Sequence, residues 1–165
     1  MDHLEEAASS GLAITQIVGQ LIEPVAVLPE NSTCLDVDSA FAQAPDATGL
    51  ILTTSAGFLL IDRREFETQV ARRLESEGMD YLGTHVLDVI STADTLVIPA
   101  WVSLDEAYLR MGERPPSSRY KDVIVLNDKS GSVGLIPVAT LLDEFARANA
   151  REALHDPLTG LANRA

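Results

Sequence analysis

The chain repeats itself, and the repeat limits what it can fold into. VAVLPENST at residues 25–33 and TLVIPAWVS at residues 95–103 are short, β-branched, apolar runs ending in proline, followed four residues later by Thr33 or Ser103. Pro29 and Pro99 lie 70 residues apart. Each Thr or Ser suits the N-cap of a following helix, because its hydroxyl accepts from an otherwise orphaned backbone N–H. The spacing predicts those helices over 34–44 and 104–114, the second with Leu104, Ala107, Tyr108 and Met111 at helical intervals. Two strands follow each helix: 49–54 and 57–62 around Ser55-Ala56, then 122–128 and 132–138 around Lys129-Ser130-Gly131. A further helix closes each half, over 64–76 and 139–154, and a helical piece opens each, over 14–22 and 84–90. One such unit of about 60–70 residues buries little surface alone, so two must share a core.

Composition allows that arrangement and excludes several functions. Of 165 residues, 46 % are apolar, enough for a core. The net charge of −13 argues against nucleic acid and against an anionic membrane surface, since both need clustered Lys and Arg. A small nucleotide in a local cleft needs only a few basic groups. The single cysteine, Cys34, permits no intrachain disulfide and no cysteine-based metal site, and it reads as a small buried residue. No run reaches the roughly 18–20 apolar residues of a membrane span. The acidic start MDHLEE is no secretory signal. The expectation is a cytoplasmic protein.

The order of elements, the proline-ended first strand and the phrase DVIVLND followed by VGLIPVATLL resemble a tandem CBS pair over about residues 14–147. The resemblance implies an α/β (α+β) fold: two CBS-like β-α-β-β-α units packed as a pseudo-twofold pair, with a C-terminal linker helix. The boundaries expected are an extension over 1–13, unit 1 over 14–78, unit 2 over 79–147, and a remainder over 148–165.

CBS pairs that bind adenosine compounds hold them in clefts between the units. The family's pattern after the third strand is Gly, two apolar residues, Ser or Thr, two more residues, then Asp. The Asp accepts from the ribose hydroxyls, a task for a group that accepts twice without donating. In the second half the pattern falls on Pro137 and Thr140, so the carboxylate is missing. In the first half it falls on Asp62 and Glu65, with Arg63 and Arg64 between them. Glu65 can hold a ribose, and the arginines offset the repulsion of phosphate by Asp62. The same four charges also fit a capped, solvated helix N-terminus. Arg119 and Lys121, in the loop RPPSSRYK, stand within reach of a phosphate or form a charged, exposed, mobile loop. The ligand expected is an adenine nucleotide (AMP, ADP or ATP) or S-adenosylmethionine. Trp101 stacks on a base or packs on a partner subunit. His3, His85 and His155 make no metal-ligand cluster.

The last phrase, HDPLTGLANR at 155–164, resembles the segment that opens GGDEF diguanylate cyclase domains: Asp156, Leu158, Thr159, Gly160, Leu161, Asn163 and Arg164 stand at the family's spacing. No Gly-Gly-Asp/Glu-Glu-Phe string occurs in the chain. The resemblance implies the regulatory front end of a cyclic di-GMP-synthesising enzyme, itself without catalytic residues. The joining helix LLDEFARANAREAL has no clean heptad. Its apolar positions are Leu141, Phe145, Ala148 and Leu154, which cap unit 2 or start a short coiled coil in a homodimer. The competing expectation is a dimerisation scaffold with no ligand. A small enzyme has no convergent acid, base and nucleophile to support it.

Overall fold

The computed structural model describes residues 16–91 and 95–154. The extension 1–13, His3, His155 and the phrase 155–164 lie outside the described residues. Two three-stranded sheets of the same topology carry the chain. In the first, β1 (Val27–Pro29) runs parallel to β2 (Gly49–Thr54), which pairs antiparallel with β3 (Gly57–Asp62). In the second, β4 (Val97–Pro99), β5 (Val123–Asn127) and β6 (Ser132–Ile136) repeat the order and directions. Helix α1 (Cys34–Gln43) crosses from β1 to β2, and α3 (Leu104–Gly112) from β4 to β5. Helices α2 (Arg63–Glu77) and α4 (Val138–Ala153) follow β3 and β6. Both expected N-caps form: Thr33 Oγ1 accepts from Asp36 N–H, and Ser103 Oγ from Glu106 N–H.

The two sheets meet face to face through Ile51 and Leu60 of one and Ile124 and Leu135 of the other, all buried. This is the pseudo-twofold pair that the repeat predicts. The strands over 49–54 and 57–62 and the four principal helices lie within about two residues of their expected bounds.

The expected opening helices over 14–22 and 84–90 do not form among the described residues, 16–22 and 84–90. In their place stand 3₁₀ turns at Val18–Gln20 and Val86–Asp88, with another at Gly78–Gly83. Their backbone groups bond elsewhere. Val18 N–H donates to Val102 O at 2.9 Å, and Gly19 N–H to Ala100 O at 2.8 Å. Val86 N–H donates to Ser32 O, and Cys34 N–H to Thr84 O. An N–H committed to a distant carbonyl cannot close a local helical ring.

These pairings interlace the units. The segment opening the first half packs on the second: Val18 is fully buried with Ile98, Val102 and Leu141, and Glu23 exchanges two backbone hydrogen bonds with Leu135. The segment opening the second half packs on the first, where Tyr81, Val86, Val89 and Ile90 cover Cys34, Val37 and Phe41. Gly134 makes the first crossing possible. A Cβ there would stand 2.2 Å from Ile22 Cγ2 and 2.9 Å from Glu23 O.

Candidate functional site

A cleft of about 980 Å³ lies where the first turns of α2 approach the loop before β5 and the start of α4. The sequence places charge there because both sheets end at this point. The residues that leave β3 and enter β5 are the first that need not be apolar. The lining gathers four of the chain's 12 Lys and Arg residues, namely Arg63, Arg64, Arg72 and Lys121. Four carboxylates, Asp62, Glu65, Glu67 and Asp122, accompany them. The cleft is thus locally balanced in a chain of net charge −13.

These groups are not equivalent. Asp62 is the N-cap of α2, its Oδ2 accepting from Glu65 N–H at 2.9 Å. The Arg63 guanidinium is turned to the end of α1. It donates to Ala47 O and Ala44 O at 2.6 Å and to Phe41 O at 3.2 Å, and lies 4.3 Å above the Phe41 ring. Its fork gathers the carbonyls where α1 stops, two of which also accept a backbone N–H. Arg64, Thr68 and Arg72 follow one another at four-residue intervals along α2, a single stripe facing the cleft. The Arg64 and Arg72 guanidiniums make no hydrogen bond or ion pair among the described residues. On the opposite wall Tyr120 is 66 % exposed, an aromatic face open to the cleft.

Lys121 and Asp122 tie the two units together. Lys121 Nζ meets Glu65 Oε2 at 2.7 Å, while Glu65 Oε1 accepts from Ser91 N–H at 2.9 Å. Asp122 is 4 % exposed; it accepts from the Thr48 hydroxyl across the unit boundary and, through Oδ1, from Val138 N–H at 3.0 Å. Pro137 is the N-cap of α4 and has no side-chain cap to offer, so Asp122 takes that role. Burial pushes the Asp122 carboxyl above the usual carboxylate range; its bonds to Thr48 and Val138 oppose the shift.

Of the residues singled out from sequence, Asp62, Arg63, Glu65 and Lys121 come together in the cleft. Arg119, Pro137 and Thr140 do not line it. Arg119 Nε is buried without a hydrogen-bond partner among the described residues. The loop 114–121 is not simply exposed, as its composition predicts. Arg114 and Ser118 are buried, and Arg114 Nη1 donates to Lys121 O at 2.8 Å, fixing the backbone from which Lys121 projects. Sequence reasoning missed Thr48, Arg72, Tyr120 and Asp122. The repeat does hold a signal for two of them: Thr48 and Asp122 each stand immediately before the second strand of their unit.

Other candidates lie elsewhere. Trp101 is 68 % exposed in the turn after β4 and does not line the cleft. His85 is exposed and precedes the turn Val86–Asp88. Cys34 is fully buried, and burial pushes its thiol up, away from reactivity. Among the described residues no group of His, Cys, Asp and Glu is placed to hold a metal ion, and no helix is long and apolar enough to cross a membrane.

No protein-family model matches the sequence, and no curated protein does. Solved structures match over nearly their whole length. The structure of CBSX2 in complex with AMP superposes with a TM-score of 0.56 at 13 % identity, over 81 % of this chain and 98 % of that one. CBSX2 is a CBS-pair protein from Arabidopsis thaliana. A putative acetoin utilization protein, AcuB, from Vibrio cholerae gives 0.58 at 14 % identity, over 87 % of this chain and 100 % of that one. CbpB in complex with c-di-AMP gives 0.53 at 11 % identity, over 92 % and 97 %. The shared architecture is that of a CBS-domain pair, an α+β fold of two three-stranded units.

Proposed function

We propose, from the fold of a CBS-domain pair, that this chain is a cytoplasmic regulatory module that takes an adenine nucleotide or S-adenosylmethionine in the cleft between its units. The module itself carries out no chemistry. It acts as a homodimer and controls cyclic di-GMP synthesis by a GGDEF domain that follows it in the same polypeptide. The observation that carries the reading is the cleft. Two guanidiniums unpaired among the described residues, an ammonium and an exposed tyrosine ring surround a space within the usual size range of small-molecule sites. Arg64, Arg72 and Lys121 suit phosphate, and Tyr120 suits a base. Asp62 keeps Oδ1 free of hydrogen bonds among the described residues and can accept from a diol. Two structural neighbours were solved with AMP and with c-di-AMP. The route to an output is short. Val138, the first residue of α4, lines the cleft, and the GGDEF-like phrase 155–164 follows that helix.

A thermal-shift series with AMP, ADP, ATP, S-adenosylmethionine, GTP and cyclic di-GMP at millimolar concentration tests the reading. A ligand present at 100 times its dissociation constant stabilises the fold by about 2.7 kcal/mol. The expected result is a selective shift of a few degrees that is lost in Arg64→Ala and Lys121→Ala. No shift with any compound, together with a stable dimer, would turn the reading to a dimerisation scaffold. That second reading is favoured by one observation: the Arg63 guanidinium and both Glu65 oxygens are already satisfied within the protein.

A further inference from the structure

Glu65 stands where the CBS pattern places the ribose acceptor, yet both of its oxygens are already engaged within the protein. Oε1 takes the Ser91 N–H, and Oε2 holds the Lys121 ammonium. The Glu65–Lys121 pair crosses the cleft from α2 of one unit to the residue before Asp122 of the other. Both side chains are mostly buried, at 21 % and 22 % exposure, so the attraction is screened less than at a free surface. The Lys121 backbone is pinned by Arg114 Nη1 on its carbonyl. The four-carbon side chain of Lys121 can therefore swing to another anion without movement of the loop. Arg64 and Arg72, unpaired on the same wall as Glu65, mark where that anion would sit.

We propose that Glu65 is an intramolecular competitor for the anionic part of the cleft's ligand, holding Lys121 until a phosphate-bearing ligand displaces it. The proposal rests on the nucleotide reading above and concerns the regulation of that site. It also opposes the expectation from sequence, in which Glu65 binds the ligand. A carboxylate that binds ribose is missed when removed, whereas a carboxylate that competes with phosphate is an obstacle. Occupancy would also part the only salt bridge between the two units among the described residues, leaving at this point the Thr48–Asp122 and Ser91–Glu65 hydrogen bonds.

The test is calorimetric titration of the dialysed protein with ATP and, separately, with inorganic tripolyphosphate, which has neither base nor ribose. Wild type is compared with Glu65→Gln, which keeps an acceptor for Ser91 N–H and removes the charge. Glu77→Gln is the charge-matched control, since Glu77 lies on the same helix, pairs with Arg73 and does not line the cleft. Glu65→Gln is expected to bind both probes about 3- to 10-fold more tightly than wild type, the range of one partly screened ion pair. Glu77→Gln is expected to gain less than twofold. Binding by Glu65→Gln where wild type shows none supports the proposal as well. Equal affinities, an equal gain in Glu77→Gln, or a loss confined to ATP would overturn it and leave the nucleotide reading intact. No binding of either probe to any variant would overturn both. Should Glu65→Gln melt well below wild type, Glu65→Asp, which keeps the charge but shortens the reach, is expected to show a smaller gain in the same direction, and no gain overturns the proposal.

Discussion

Asp122 carries more structure than its neighbours because it answers to both units. One oxygen receives the Thr48 hydroxyl, the other the first N–H of α4, where proline leaves no cap. Removing the side chain strands both donors. Asp122→Ala is expected to lose about 2–3 kcal/mol in denaturant unfolding at pH 7. Asp122→Asn, whose carbonyl still accepts from Val138 and whose amide donates to Thr48, is expected to stay within about 1 kcal/mol of wild type. The pH dependence separates the two forms further. Burial raises this carboxyl above its ordinary value of 3.8 in the folded chain, so the folded state binds the proton more readily than the unfolded state. The stability contributed by its protonation is therefore fully present below about pH 3.8 and is lost as the pH rises through the folded value. The stability of wild type relative to Asp122→Asn is expected to fall between pH 4 and pH 7. A flat or rising difference would show that desolvation does not dominate at this carboxylate.

Strand β6 and the segment before β1 form a contact that depends on one missing methyl group. Glu23 exchanges hydrogen bonds with Leu135 at 2.7 and 3.1 Å, and Gly134 lets the two backbones approach. Gly134→Ala sets a Cβ against Ile22 and the Glu23 carbonyl. Ile22 can rotate, but the carbonyl cannot yield without breaking the bridge. The expected cost is about 2–4 kcal/mol in chemical denaturation, with faster hydrogen exchange at Glu23 and Leu135. Helix α4 is held differently. Leu141 is buried, Leu142, Phe145 and Ala148 pack on the core of unit 2, and the Phe145 ring stacks on Tyr108 of α3. Leu154, at the far end, is half exposed. The first three turns thus cap the unit, as one of the two expectations from the sequence has it.

Strands and principal helices were legible because their signals are local: apolar runs bounded by turns, and Thr33 and Ser103 as caps. The opening turns were not. ITQIVGQLI and THVLDVI have helical apolar spacing, but the N–H groups of Val18, Gly19 and Val86 bond to residues 54 to 84 positions away, and no local pattern records that. The site divides the same way. Asp62 and Glu65 were visible because the CBS pattern after the third strand falls on them, and Lys121 because it precedes a strand. Arg72 and Tyr120 belong to the cleft only because the second unit closes over α2, and Glu65 changes meaning once Lys121 and Ser91 are found on it. Interlacing also governs cooperativity. With Tyr81, Val86, Val89 and Ile90 covering the first unit's core, a fragment of residues 1–78 lacks the side chains that keep Cys34, Val37 and Phe41 dry. It is expected to show no cooperative thermal transition, whereas the whole chain is expected to unfold in one, with equal calorimetric and van't Hoff enthalpies. Two separated transitions in the whole chain would contradict this.

The exchange of opening segments also sets an order of assembly. As the chain leaves the ribosome, the first unit receives its cover within about ten residues of completing α2, and can close early. Val18, Leu21 and Ile22 emerge well before the residues they pack on, which run from Ile98 to Leu141. Contacts this distant in sequence slow folding, because a long loop must close before they yield anything. Until then the nascent chain trails an apolar thread, and the second unit cannot seal without drawing back a segment made long before it.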